Sequence, residues 1–127
     1  MVVNMRLDNI NILVFAFLGD SVYDLYVRKY LIDNGFNNVN SLQKESLKYV
    51  SAVSQAKIVD ELINNNVLSE DEIGIYKRGR NYKSNSHPKN CDIVTYKKAT
   101  GLECVIGYLY LIKDYERIDD LFKIILG

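Results

Sequence analysis

The chain has 127 residues, 48% of them apolar and 25% charged, the proportions of an ordinary globular domain rather than of a disordered or low-complexity segment. Sixteen basic and sixteen acidic residues cancel to a formal charge of zero, so no overall polyelectrolyte character points to a partner. One histidine and two cysteines, Cys91 and Cys104, have no metal-ligand spacing and exclude a zinc site, which leaves a soluble, cytoplasmic single domain over residues 1–127 as the expectation.

The first apolar run, Ile12–Gly19, follows Arg6 in the manner of a secretory leader. Asp8, Asn9 and Asn11 interrupt its approach, however, and Gly19-Asp20 stands where a small-residue cleavage site belongs. This run and Val105–Ile112 both fall well short of the ~20 apolar residues of a membrane span, so no membrane association is expected. Leu18, Val22, Leu25, Tyr26 and the pair Tyr30/Leu31 mark a helical stripe that ends at Asn34-Gly35. Asn40 with Gln43 reads as a capping box opening one helix through Val50, Val53, Ala56, Val59, Leu62 and Ile63. Ser69 with Glu72 forms a second box, ahead of Ile73 and Tyr76. The stretch Arg80–Asn90 has no apolar periodicity, contains the single proline, Pro88, and reads as a loop. Ile93, Tyr96, Ala99, Leu102, Ile106 and Leu109 then repeat at three and four residues, and Ile118, Leu121, Phe122 and Ile125 close the chain as a last helix. No alternating pattern suggests a strand, and the expected fold is all-α, a helical bundle.

Two carboxylates stand where carboxylates are expensive. Asp20 lies in VFAFLGDSVYDLY and Glu103 in ATGLECVIGYLYL, the two most apolar segments, each with glycine nearby. A glycine inside a helix costs about 1 kcal/mol against alanine, so its presence suggests close approach of another backbone or a ligand. A carboxylate in such a setting needs a hydrogen bond, a counter-ion or a metal. Glu103 shares its helix face with Thr100, Ala99 and Gly107, and Asp20 shares its own with Asp24. Structural ion pairs or solvent-facing positions would account for the same pattern.

Charge is also unevenly spread. From Lys77 to Asn90 the sequence KRGRNYKSNSHPKN carries Lys77, Arg78, Arg80, Lys83, Lys89 and His87 without one acid, while Asp60, Glu61, Glu70, Asp71 and Glu72 cluster before it. Arginine forks and lysines, with Asn81, Tyr82 and Ser84 adding hydrogen-bonding capacity, suit phosphate oxygens, although a charge run by itself is also what a solvated loop looks like. A basic stretch beside a carboxylate pair is what phosphodiester cleavage requires: one holds the backbone, the other a divalent ion that activates water. The tyrosines at helical core spacing (Tyr23, Tyr26, Tyr30, Tyr96, Tyr108) read as core or interface, and Cys104 as a small buried hydrophobe. No Gly-rich phosphate loop, nucleophile elbow or Ser/His/Asp order is present, so neither a nucleotide cofactor nor a protein nucleophile is expected.

LGDSVYDLYVR at Leu18–Arg28 and LECVIGYLYL at Leu102–Leu111 resemble the two signature segments of the ribonuclease III catalytic-domain family. KRGRNYKS…PKNCDIVTYKKATGLECVIGYLYL is similar, more specifically, to the Mini form of that family, which consists of the catalytic domain alone. The resemblance runs in order from about Asn11 to Leu111. It implies an all-α homodimer that cleaves double-stranded RNA with Mg²⁺, and the Mini form is similar to enzymes that trim precursor 23S ribosomal RNA. By residue match Asp20 takes the family's catalytic aspartate position and Glu103 the glutamate of the second signature, both as metal ligands. Lys77, Arg78, Arg80, Asn81, Lys83 and Lys89 fall in the region implied in RNA contact. Full-length family members carry further acids where this chain has Leu13, Ala16 and Thr100, departures that it shares with the Mini form. Two carboxylates per site then leave water and RNA phosphate to complete an octahedral Mg²⁺ shell. The competing readings are a catalytically silent RNA-binding or assembly domain of the same fold, and an all-α protein-interaction module.

Overall fold

Each helix begins on a side chain that accepts the first free backbone N–H groups, and these caps set the element boundaries. The structure, a computed structural model, describes residues 10–83 and 88–127. Asn11 caps α1 (Ile12–Asp33) by accepting from the Leu13 N–H at 2.9 Å, and Asn38 caps α2 (Val39–Val50) through the N–H groups of Asn40 and Ser41. Ser51 ends α2 and at the same time caps α3 (Ala52–Asn64). The Ser69/Glu72 box opens α4 (Glu70–Arg80) reciprocally, Ser69 N–H donating to Glu72 and Glu72 N–H to Ser69. Asp92 caps α5 (Ile93–Leu111) and Asp114 caps α6 (Tyr115–Leu126). Gly35, Asn66 and Lys113 take positive φ just past the ends of α1, α3 and α5. There the following N–H reaches back to a carbonyl of the last turn, as from Val67 to Leu62 at 2.9 Å.

Among the described residues there are six helices and no strand, the all-α architecture expected from the apolar spacing. α5 is the central element, packed against α1, α3 and α4, with Leu102, Cys104, Val105 and Ile106 fully enclosed. α6 closes one end through Ile118, Leu121 and Phe122, the last stacked on Tyr26 at a centroid distance of 4.5 Å. A buried, bidentate pair ties α6 to α4: Arg117 donates to both Glu72 oxygens at 2.8 Å and to the Val67 carbonyl at 2.7 Å.

Three expectations need correction. The single helix from Asn40 to Ile63 is two, because the Ser51 backbone is extended (ψ 151°) and its hydroxyl is bound to the Ser54 N–H, and the cap of α2 is Asn38, not Asn40. The buried stripe of α1 is Ile12, Phe15, Ala16, Gly19, Val22, Tyr23, Val27 and Leu31, which leaves Leu25 64% exposed. This helix is apolar nearly all round, so periodicity gave its phase only weakly. Finally, the stretch Arg80–Asn90 is not all loop: Arg80, with Lys77 and Arg78, belongs to the last turn of α4, and Asn81 is its C-cap.

Candidate active site

The two glycine-flanked carboxylates meet because α1 and α5 cross at backbone contact. A Cβ on Gly19 would fall on the carbonyl of Glu103, and a Cβ on Gly107 on the carbonyl of Phe15. Only hydrogen in place of a side chain permits this approach. It brings Asp20, the residue after Gly19, near enough to the Glu103 carboxyl to disfavour its charge. Asp20 is exposed and Glu103 half-buried, so the pair opens to solvent on the α1 side.

The electrostatics follow from that geometry. Burial, and then the hydrogen bond and charge of Asp20 with a smaller contribution from Asp24, push the Glu103 carboxyl up to about 9, against the opposing influence of Gln55. Asp24 is also raised, by burial and by Asp20, with Arg28 acting in the opposite direction. Three acids thus crowd the place where two helices meet, and among the described residues Asp20, Asp24 and Glu103 make no ion pair. A cation would relieve the repulsion. The donors are carboxylate oxygens, hard ligands that suit Mg²⁺ rather than a soft metal. Among the described residues no group of three or more His, Cys, Asp or Glu side chains is gathered for a metal, so protein ligation here is sparse. Thr100, beside the pair on α5, is buried and spends its hydroxyl on the Tyr96 carbonyl at 3.0 Å.

The basic residues divide between helix and loop. Lys77 and Arg78 are exposed on α4; Arg80 is half-buried, with its guanidinium carbon 5.4 Å from the Tyr76 ring centroid and its Nε donating to Asn81 at 3.1 Å. Lys83 and Lys89 are exposed, whereas Ser84 and His87 lie outside the described residues. Among the described residues none of these five cations makes an ion pair, which leaves their charge available. Gly79 brings this end of α4 against α5: a Cβ there would lie 2.6 Å from Cys104 Sγ and 3.1 Å from Gly101 Cα. Arg78 is near enough to act on the Cys104 thiol, the next residue after Glu103, although burial dominates and holds that thiol up at about 12. The last turn of α4 therefore sits beside the α5 segment that carries Glu103.

One group near Glu103 escapes the sequence reading. Gln55, on α3, is 3% exposed and acts on the Glu103 carboxyl in the lowering direction, against burial. Its signal was available: with Val59 and Leu62 it occupies one helical stripe, where an amide stands in place of an aliphatic residue.

Residues 13–114 match the Ribonuclease III domain family. The chain belongs to that family. It is 46% identical over 112 residues to the Mini-ribonuclease 3 of Streptococcus pneumoniae, covering 88% of each chain. It is likewise 46% identical over 114 residues to that of Acholeplasma laidlawii, covering 90% of each. A crystal structure of a Fusobacterium nucleatum protein superposes with a TM-score of 0.81 at 36% identity, over 93% of both chains. The chain is therefore a ribonuclease, an RNA endonuclease akin to the Mini-ribonuclease 3 proteins, as the two signature segments implied.

Proposed function

We propose that the chain cleaves double-stranded RNA by Mg²⁺-assisted hydrolysis at Asp20 and Glu103, acts as a homodimer in the cytoplasm, and matures precursor 23S ribosomal RNA. The observation that carries the mechanism is the crossing of α1 and α5, which sets two carboxylates side by side in a family of ribonucleases. The rRNA substrate rests on the resemblance to the Mini form.

Asp20 and Glu103 would hold the ion, with water and phosphate oxygens filling the rest of its shell. Bound there, Mg²⁺ supplies Lewis acidity, polarising the phosphate and making water a stronger acid. Glu103 would have to give up its proton to serve as a ligand, and Asp20 would supply the second carboxylate. Lys77, Arg78, Lys83 and Lys89 hold phosphates of the duplex, while Arg80 and Asn81, bonded to each other, present a fixed polar edge. Binding by such contacts weakens steeply with salt.

A second copy is supported by the outer face of α1. Val14, Phe17, Leu25 and Ile32 are 46%, 83%, 64% and 59% exposed and fall within about 80° of one another around the helix. Such an apolar stripe favours association, and a two-fold partner on it supplies the second site that cutting both strands requires.

The test is cleavage of labelled duplex RNA with Mg²⁺ or EDTA, beside Asp20→Asn and Glu103→Gln. Mg²⁺-dependent cuts on both strands, lost in both variants, are expected. Unchanged cutting in either variant, or no cutting of any duplex including precursor rRNA stems, would refute the assignment.

A further inference from the structure

We propose that Lys98 is a further phosphate-binding residue for duplex RNA, held by Asp60 in the free enzyme and handed to a backbone phosphate when RNA binds beside Arg80. The inference deepens the RNA-holding role given above to the end of α4, and rests on it.

Three helices bring the groups together. Lys98, on α5, donates from Nζ to Asp60 Oδ2, on α3, at 2.9 Å. Arg80, the last residue of α4, carries its guanidinium carbon 5.4 Å from the Tyr76 ring centroid. That ring lies against Gly101, where a Cβ would fall 2.6 Å from Tyr76 Cδ1. Gly101 follows Lys98 by three residues, one turn further along the same side of α5. The Tyr76 ring is thus the spacer between Arg80 and the turn of α5 that carries the lysine. Its hydroxyl registers all three charges: burial raises it, Arg80 and, less strongly, Lys98 act to lower it, and Asp60 acts with burial.

Two cations face one acid, so the cluster stays positive after the Lys98–Asp60 pair is made. Among the described residues Arg80 makes no ion pair. Packed on Tyr76 and bonded through Nε to Asn81, its guanidinium is oriented in advance and loses little freedom to a phosphate. The Lys98 and Asp60 side chains are 31% and 44% exposed. An ion pair this open to water adds little to stability, and a phosphate oxygen is as good an acceptor for the ammonium as a carboxylate oxygen. Lysine carries its charge on a flexible four-carbon stem, so the ammonium can change partners without moving α5. Asp60, left beside the RNA, then keeps affinity for substrate and cleaved product below what the cations alone would give.

The experiment measures binding of the full chain to a labelled RNA duplex by anisotropy, in EDTA, from about 50 to about 200 mM salt. The parent is compared with Lys98→Met, Asp60→Asn and the double variant, and the melting temperature of each is recorded. Methionine keeps most of the apolar stem and removes the charge. Lys57→Met and Glu61→Gln, at exposed positions of α3, are the charge-matched controls. One phosphate contact carries a salt slope of roughly 0.9, so over this range Lys98→Met should lose about threefold less affinity than the parent. Asp60→Asn frees the lysine and should bind about 2–5-fold tighter, a gain that disappears in the double variant. Both controls should leave slope and affinity near the parent's, which a general effect of net charge would not.

A folded Lys98→Met with the parent's slope overturns the proposal. So does a gain from Asp60→Asn that survives in the double variant or is matched by Glu61→Gln. Where Lys98→Met fails to fold, Asp60→Asn against Glu61→Gln decides, since the lysine is then intact. Failure of the underlying RNA reading looks different: Lys77→Met and Lys83→Met then also keep the parent's slope, or the parent binds no duplex, and the proposal falls with it.

Discussion

Arg117 holds both carboxylate oxygens of Glu72 at 2.8 Å, joining the last helix to the first turn of α4 by an ion pair whose acid is only 5% exposed. Burial pushes the Glu72 carboxyl up, but the Arg117 hydrogen bond and charge and the Ser69 N–H outweigh it and leave the group below its ordinary value of 4.5. Its folded pKa is depressed, so its contribution is present above pH 4.5 and disappears as the pH falls through the folded value. Glu72→Ala strips Arg117 of its partner and is expected to cost about 3 kcal/mol at neutral pH, read by urea unfolding. The cost should shrink at acidic pH; an equal cost at both ends would contradict the assignment.

The glycines give opposite expectations for one substitution. A Cβ on Gly19 collides with backbone that cannot move without parting α1 from α5, so Gly19→Ala should lose at least about 3 kcal/mol and most RNA cleavage. A Cβ on Gly74, within α4, meets nothing within 4 Å. Gly74→Ala should therefore stabilise by about 0.5–1 kcal/mol through the unfolded chain. Equal melting temperatures for the two variants would refute the crossing geometry.

In EDTA the raised Glu103 carboxyl makes stability fall with pH. The folded state keeps a proton that the unfolded chain releases above about 4.5, so the loss builds from there until the folded group ionises near 9. Glu103→Gln should flatten melting temperature across that window, in the sense opposite to the effect of Glu72. A variant retaining the full slope would place its origin elsewhere.

Phe17, the most exposed residue of the apolar stripe on α1 at 83%, should govern assembly. Phe17→Asp is expected to convert a dimer to a folded monomer by sedimentation, with single-strand nicks replacing paired cuts. A dimer that survives this change would move the interface off α1.

Much of this was legible in the residues, and the rest was hidden for identifiable reasons. The Ser69/Glu72 box, the Asn34-Gly35 stop and the glycine-flanked acids are local chemistry, and each stands where its spacing put it. Ser51 was harder to read, because apolar residues continue in helical rhythm across it while its backbone does not. The phase of α1 was obscured by its second apolar face, which set Leu25 outward and Val27 inward. Gln55 was missed because its bearing on Glu103 arises only from the packing of α3 on α5, which nothing local in the sequence announces.

The first two helices differ in how much freedom they leave to change. Around α1 the core face, the acids Asp20 and Asp24, and the exposed apolar stripe occupy nearly the whole circumference, while α2 contains no buried residue. In a saturation library selected for RNA cleavage, α1 should therefore reject substitutions at almost every position from Ile12 to Leu31. α2, of twelve residues, should accept most of them. Adaptation to a new working temperature or a new RNA thus has room to act on α2 and on the exposed end of α4, and almost none on the helix that carries Asp20.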